Sequence, residues 1–188
     1  MSRPQMFLIA GVNGAGKSTF TKTILRKHPS LKVIDPDAIA KAMTGSFSTI
    51  DTEQLGAGRT ALLSVQQCIE RQQSFIVEST ISGRVYLNYL RQARKKGFKT
   101  ILVYVALESA GLSAARVNAR VSRGGHNIPV DDIARRYPKS FENLKAHLHL
   151  CDLAYIYDNS DHYKLIVSYR DGMIYRQSEL PRFIKPYL

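Results

Sequence analysis

Residues Gly11-Val12-Asn13-Gly14-Ala15-Gly16-Lys17-Ser18 match the pattern G-x-x-x-x-G-K-[ST] at every fixed position and run on into Thr19. No other stretch constrains the fold as strongly, because this pattern works only as a turn between a buried strand and the N-terminus of a helix. Backbone N–H groups must close around phosphate oxygens, which small residues with free φ permit. Lys17 reaches the outer phosphates as a point charge, and Ser18 offers a hydroxyl to Mg²⁺. Asn13, Gly14, Ala15, Gly16, Lys17, Ser18 and Thr19 are therefore the expected nucleotide-binding residues. The flanks agree: Met6 to Ala10 is a short apolar run, and Thr19 to Lys27 lacks Gly and Pro and carries Phe20, Ile24 and Leu25 at helical spacing.

The same alternation continues. Strands are expected at 31–34, 74–77, 99–107 and 153–157, with helices at 38–43, 53–73, 84–96, 110–122 and from about 130 onward. Connections this long between strands require crossovers, and hence a parallel sheet covered on both faces. The last section differs: Arg170-Asp171-Gly172 between two short apolar runs signals a hairpin. The expected fold is α/β, a P-loop NTPase three-layer sandwich with a mostly parallel five-stranded sheet, a helical lid and a C-terminal antiparallel hairpin. One domain, 1–188, is expected, with the lid at about 110–130. Several local readings accompany this. Asp37 fits an N-cap position, and Asp51 or Thr52 can cap the following helix beyond a Thr44-Gly45-Ser46 turn. Pro138 is expected to kink its helix, and the tail 180–188 to pack as irregular chain.

Ligands of such sheets bind outside the carboxyl ends of the strands. Asp35 and Asp37 follow the second strand, and Glu78, Ser79 and Thr80 end the third. After the fourth strand, Arg116, Arg120 and Arg123 fall on one helix face, opposite an apolar side of Leu112, Ala115 and Ala119, and a glycine-rich segment follows. Such an arginine-bearing helix beside a flexible turn suits a closing lid, although a solvated basic stripe has the same spacing. Nucleotide, carboxylates and arginines together are the parts for phosphoryl transfer, which depends mainly on positioning and charge neutralisation. A small kinase is the expectation. Lys17, Arg120 and Arg123 would stabilise the transferred group, Arg116 would assist nucleotide binding, and Asp37, or alternatively Asp35, would be the base. Asp35, Glu78 and Thr80 would contact the substrate, ATP would be the donor, and Ser18 would ligate Mg²⁺. The acceptor would be a hydroxyl of a small metabolite.

Charge bears on partners. With 27 Lys and Arg against 15 Asp and Glu, the chain carries +12, which implies an anionic partner without identifying it. The basic residues are dispersed, which argues against nucleic acid, yet 10 tyrosines and 7 phenylalanines keep base stacking as an alternative. A nucleotide-binding module engaging an acidic protein is another. Cys68 and Cys151 read as reduced packing residues, and His147 and His149 as a solvated helix surface. No apolar run is long enough to cross a bilayer, and no signal peptide precedes the phosphate loop, so the cytoplasm is the expected compartment.

The phosphate loop, Val33-Ile34-Asp35-Pro36-Asp37, Ile76-Val77-Glu78-Ser79-Thr80 and the later arginines resemble the zeta toxin family of P-loop kinases over roughly residues 5–160. Arg120 to Pro129, Arg135-Arg136-Tyr137, Ser140 and Asn143-Leu144 are similar to its short-chain members. The resemblance implies ATP and Mg²⁺ as cofactors, a UDP-N-acetylamino sugar as acceptor in toxin members, and an antitoxin as an acidic protein partner. It assigns the base to Asp37, the phosphate lysine to Lys17, the strand-end glutamate to Glu78, and the transition-state arginines to Arg120 and Arg123. The sequence departs from the family after Asp37, where Ala38 to Met43 lacks the Arg-x-x-His-Pro-like segment of toxin members, and at Ser79, where they have glycine.

Overall fold

The computed structural model describes residues 3–43, 50–125 and 127–188. Strand β1 (Gln5–Gly11) leads through the phosphate loop into α1 (Lys17–Lys27). Then follow β2 (Lys32–Ile34), α2 (Pro36–Met43), α3 (Ile50–Glu70), β3 (Phe75–Ser79), α4 (Val85–Lys95) and β4 (Lys99–Ala106). Helices α5 (Ala110–Val121), α6 (Val130–Glu142) and α7 (Leu144–Leu148) precede β5 (Leu153–Asp158). Strands β6 (Lys164–Arg170) and β7 (Met173–Gln177) complete the sheet, and a 3₁₀ turn, Lys185–Tyr187, closes the chain.

The strands form one seven-stranded sheet in the order β2-β3-β1-β4-β5-β6-β7. The five expected strands pair in parallel, and β6 and β7 extend the sheet antiparallel. The hairpin turn has positive φ at both Asp171 and Gly172, 50° and 80°, which is the conformation that suits a two-residue link between twisted strands. From β1 the chain moves two places toward one edge, then returns past its start. Right-handed crossovers then put α1 on one face of the sheet and α3, α4 and α6 on the other.

The central strands β1, β3 and β4 are buried on both faces, which is why they read as unbroken apolar runs instead of alternating ones. Cys68 and Cys151 are buried and unbridged, as expected. Among the described residues no helix is long and apolar enough to cross a membrane.

Several local expectations fail. His147 is fully buried instead of solvated: its Nδ1 lies 2.7 Å from the Asn143 carbonyl, and burial holds its pKa below the usual histidine value. Pro138 lies inside α6, which ends at Glu142 with Asn143 as its C-cap. Asp51 and Thr52 lie inside α3, which already starts at Ile50. The Thr44-Gly45-Ser46 turn lies outside the described residues.

Candidate functional site

The sheet register brings three strand ends together. Ile9 of β1 stands opposite Glu78 of β3, Ile34 of β2 opposite Val77, and Gly11 opposite Val105 of β4. The phosphate loop leaves β1 at this edge, and Gly11 must be glycine because a Cβ there would run into the Val105 carbonyl. A cleft of about 600 Å³ opens above the edge. Asn13, Gly14, Gly16, Lys17, Ser18 and Thr19 line it on one side, Asp35, Asp37, Glu78 and Thr80 on another, and Arg116, Arg120 and Arg123 above. Of the expected site residues only Ala15, buried behind the loop, does not line it.

Lys17 Nζ donates to the carbonyls of Gly11 and Val12 at 3.0 and 3.1 Å, so its ammonium is stored within the loop. Burial lowers its pKa, opposed by the charges of Glu78, Asp37 and Asp35, while Arg120 lowers it further. Glu78 is buried and accepts from Ser18 Oγ at 2.8 Å and Thr21 Oγ1 at 2.7 Å. Burial pushes its pKa up, the two hydroxyls pull against this, and Asp35 adds to the rise. The Asp35 carboxyl is raised first by burial and next by the charge of Asp37.

Capping of α2 falls to Asp35, not Asp37. Asp35 Oδ1 accepts from the Asp37 N–H at 3.0 Å, and its carbonyl accepts from Ile39 N, because the helix starts two residues earlier than expected, with Pro36 at its first position. Asp37 therefore stands in the first turn, exposed at the rim of the cleft.

Helix α5 is rotated relative to the expected apolar stripe. Ala115 and Ala119 are exposed, whereas Ser113 and Val117 are buried, and Arg116 and Arg120 are half-buried with them. Val117, Ile128 and Ile133 form a small core between α5 and α6, so the arginine face turns inward. The helix ends in a Schellman motif: Gly124 N donates to Val121 O, Gly125 N donates to Arg120 O, and Gly124 takes φ of 80°. His126 lies outside the described residues.

The sequence reading overlooked other contributors. Arg136 lines the cleft and pairs with Asp132 at 2.9 Å; in the sequence it stands only among the residues similar to the short-chain members, with no role attached. Ser140 and Asn143 donate to the carbonyls of Thr80 and Ile81 at 2.6 and 3.0 Å, holding the segment that follows Glu78, in which Ile81 has a φ of 46°. Asn159 and Tyr163 bond the phosphate loop itself. Only the polar residues just beyond β5 hinted at that role. The aromatic rings serve mainly the interior: Phe141 packs against Tyr104, Tyr137, Phe183 and Tyr187.

Comparison with known proteins supplies the relationship. The sequence profile described as "Zeta toxin" matches residues 1–171. An uncharacterized protein of Haemophilus influenzae is 32% identical over 127 residues, which are 68% of this chain and 88% of that one. A chain of the PezAT chromosomal toxin-antitoxin system of Streptococcus pneumoniae superimposes with a TM-score of 0.63 at 17% identity, over 89% of this chain and 72% of its own. A chain of the AvrRxo1-ORF1:-ORF2 complex solved with ATP gives a TM-score of 0.71 at 16% identity, over 92% of this chain and 60% of its own. Its sequence profile spans most of the chain and its sheet follows the same course as these structures, so the protein belongs to the zeta toxin family of P-loop kinase folds.

Proposed function

We propose that the protein transfers the γ-phosphate of ATP to a hydroxyl of a small metabolite, with nucleotide-sugars among the candidate acceptors and Asp37 as the base. One observation carries the reading: Lys17, the acidic strand ends, Arg116 and Arg120 of α5 and Arg123 just beyond it all border a single cleft. The chain acts as one kinase-like unit, with 110–130 as its lid. Asn13 to Thr19 hold the phosphates, and Lys17 moves from its carbonyl partners to the outer phosphate oxygens. Arg120 and Arg123 neutralise charge on the transferred group, and Arg116 sits over the nucleotide side. Asp35, Glu78 and Thr80 orient the acceptor.

Mg²⁺ fits the donors present. Ser18 Oγ and the Glu78 carboxylate are hard oxygen donors side by side. Among the described residues no three His, Cys, Asp or Glu side chains converge to hold a metal unaided, which suits an ion that takes much of its shell from phosphates and water. When bound, the ion would neutralise phosphate charge; Ser18 and Glu78 are the residues that would hold it.

Asp37 is assigned the base because Asp35 is committed to capping, which leaves the Asp37 carboxylate at the rim to accept a hydroxyl proton. Asp37→Asn is expected to lower the rate of transfer from radiolabelled ATP to an acceptor found in a metabolite pool by about 10²–10⁴-fold, with ATP affinity retained. Full transfer by this variant would remove Asp37 from the role. A protein partner is a second proposal, supported by the two-component systems to which the similar structures belong. An antitoxin-like acidic chain would meet the opposite charge of this one, net +12.

A further inference from the structure

A phosphate-binding loop turns its N–H groups inward, so its carbonyls face outward and need donors of their own. Those donors can be traced here. Lys17 Nζ serves Gly11 and Val12, and Ala15 N also donates to Val12 O at 3.3 Å. The Asn13 carbonyl accepts from Ser113 Oγ at 2.5 Å. The Ala15 carbonyl accepts from Asn159 Nδ2 at 2.8 Å, and the Gly16 carbonyl from Phe20 N at 3.0 Å and Tyr163 Oη at 2.6 Å. Three of these donors are side chains 100, 144 and 147 residues away along the chain.

The turn between β5 and β6 that carries Asn159 and Tyr163 is itself held. The Ser160 carbonyl accepts from Arg116 Nη2 at 2.8 Å, and its hydroxyl accepts from Glu108 N at 2.9 Å. The Tyr163 ring packs against Phe20 of α1 with centroids 5.9 Å apart, and its hydroxyl fills the space that a Cβ on Gly16 would need. Gly16 takes φ of 96°, so the loop is held in a conformation that only glycine adopts readily, with Tyr163 seated behind it.

We propose that Asn159 and Tyr163 are positioning residues that set nucleotide affinity by bracing the outer side of the phosphate loop. This inference rests on the nucleotide-binding reading above. When Lys17 swings to a phosphate, the Gly11 and Val12 carbonyls lose that donor, and the loop keeps its shape through Ser113, Asn159 and Tyr163. A loop already braced has less freedom to lose on binding, which appears as affinity. Neither residue lines the cleft, so the effect extends to any ligand that uses the loop, with or without a base.

Titration calorimetry with Mg·ATP and with Mg·tripolyphosphate tests this on the full chain. Tyr163→Phe is expected to weaken both ligands equally, about fivefold, the equivalent of one neutral hydrogen bond. The melting temperature of the unliganded protein should be unchanged, since the phenol lies at the surface with 36% exposure. Asn159→Ala should act in the same direction on both ligands. Weakening of ATP alone would overturn the proposal in favour of a contact to the nucleoside. Unchanged affinity for both ligands would overturn it outright, as would weakening that follows a matching loss of thermal stability. Wild-type protein that binds neither ligand would overturn the nucleotide-binding reading first, and this one with it.

Discussion

At Glu78 the demands of stability and of chemistry diverge. The carboxyl is 4% exposed and burial raises its pKa, yet metal or substrate binding calls for the anion. Its pKa is higher in the folded chain than in the unfolded one, so the folded state holds this proton more tightly. Stability therefore falls as the pH rises from the unfolded value to the folded one, and the full cost persists above it. Glu78→Gln preserves shape and can still meet the Ser18 and Thr21 hydroxyls without a charge. The unliganded variant is expected to be more stable than wild type at neutral pH by about 1 kcal/mol. The gap should close on acidification through the unfolded value of about 4.3, below which Glu78 is protonated in both states. Thermal melts across that range check the sign, and a parallel assay should find phosphoryl transfer impaired.

Helix α5 shows how an element delivers a charge to a site. Arg116 and Arg120 face inward because Val117 packs on Ile128 and Ile133, and Ser113 reaches the phosphate loop, whereas Arg123 lies beyond the helix end and is exposed. The two glycines that end it differ in what they tolerate. A Cβ on Gly124 would meet open space, but its φ of 80° strains any other residue, so Gly124→Ala should cost about 1 kcal/mol of stability and leave the transfer rate intact. A Cβ on Gly125 would lie 2.5 Å from Arg120 Cγ and 2.8 Å from the Arg120 carbonyl. Gly125→Ala should displace that guanidinium and slow transfer about ten- to a hundredfold, as a misplaced positioning group does. Steady-state kinetics beside denaturation curves separate the two variants. The spacing of Arg116, Arg120 and Arg123 was legible in the sequence; the rotation of the helix was not, because Ala115 and Ala119 looked at least as apolar as a face containing Ser113.

At the scale of the whole molecule, the C-terminal tail belongs to the core. Ile184 is fully buried, and Phe183 and Tyr187 close on Phe141 of α6, although the tail holds no helix longer than a 3₁₀ turn. Ile184→Ala is expected to destabilise the protein by about 2–5 kcal/mol, read as a lowered urea midpoint at unchanged slope. A tail without periodicity carries no such signal in its residues, since its partners lie some 40 positions earlier. By contrast, the strand, glycine turn and helix of Gln5–Lys27, the five parallel strands and the Asp-Gly hairpin were determined by the sequence itself. Each is a local matter of apolar run length, free φ or turn chemistry, acting over a few residues. Only the tertiary structure decided that Asp35 caps α2 and that His147 is buried. It also decided that Arg136 joins the cleft and that Ser113, Asn159 and Tyr163 hold the phosphate loop from behind. Those assignments depend on which side chains meet after four crossovers and a hairpin have closed the sheet, and a hydrogen bond spanning 100 or more residues leaves no periodic trace along the chain.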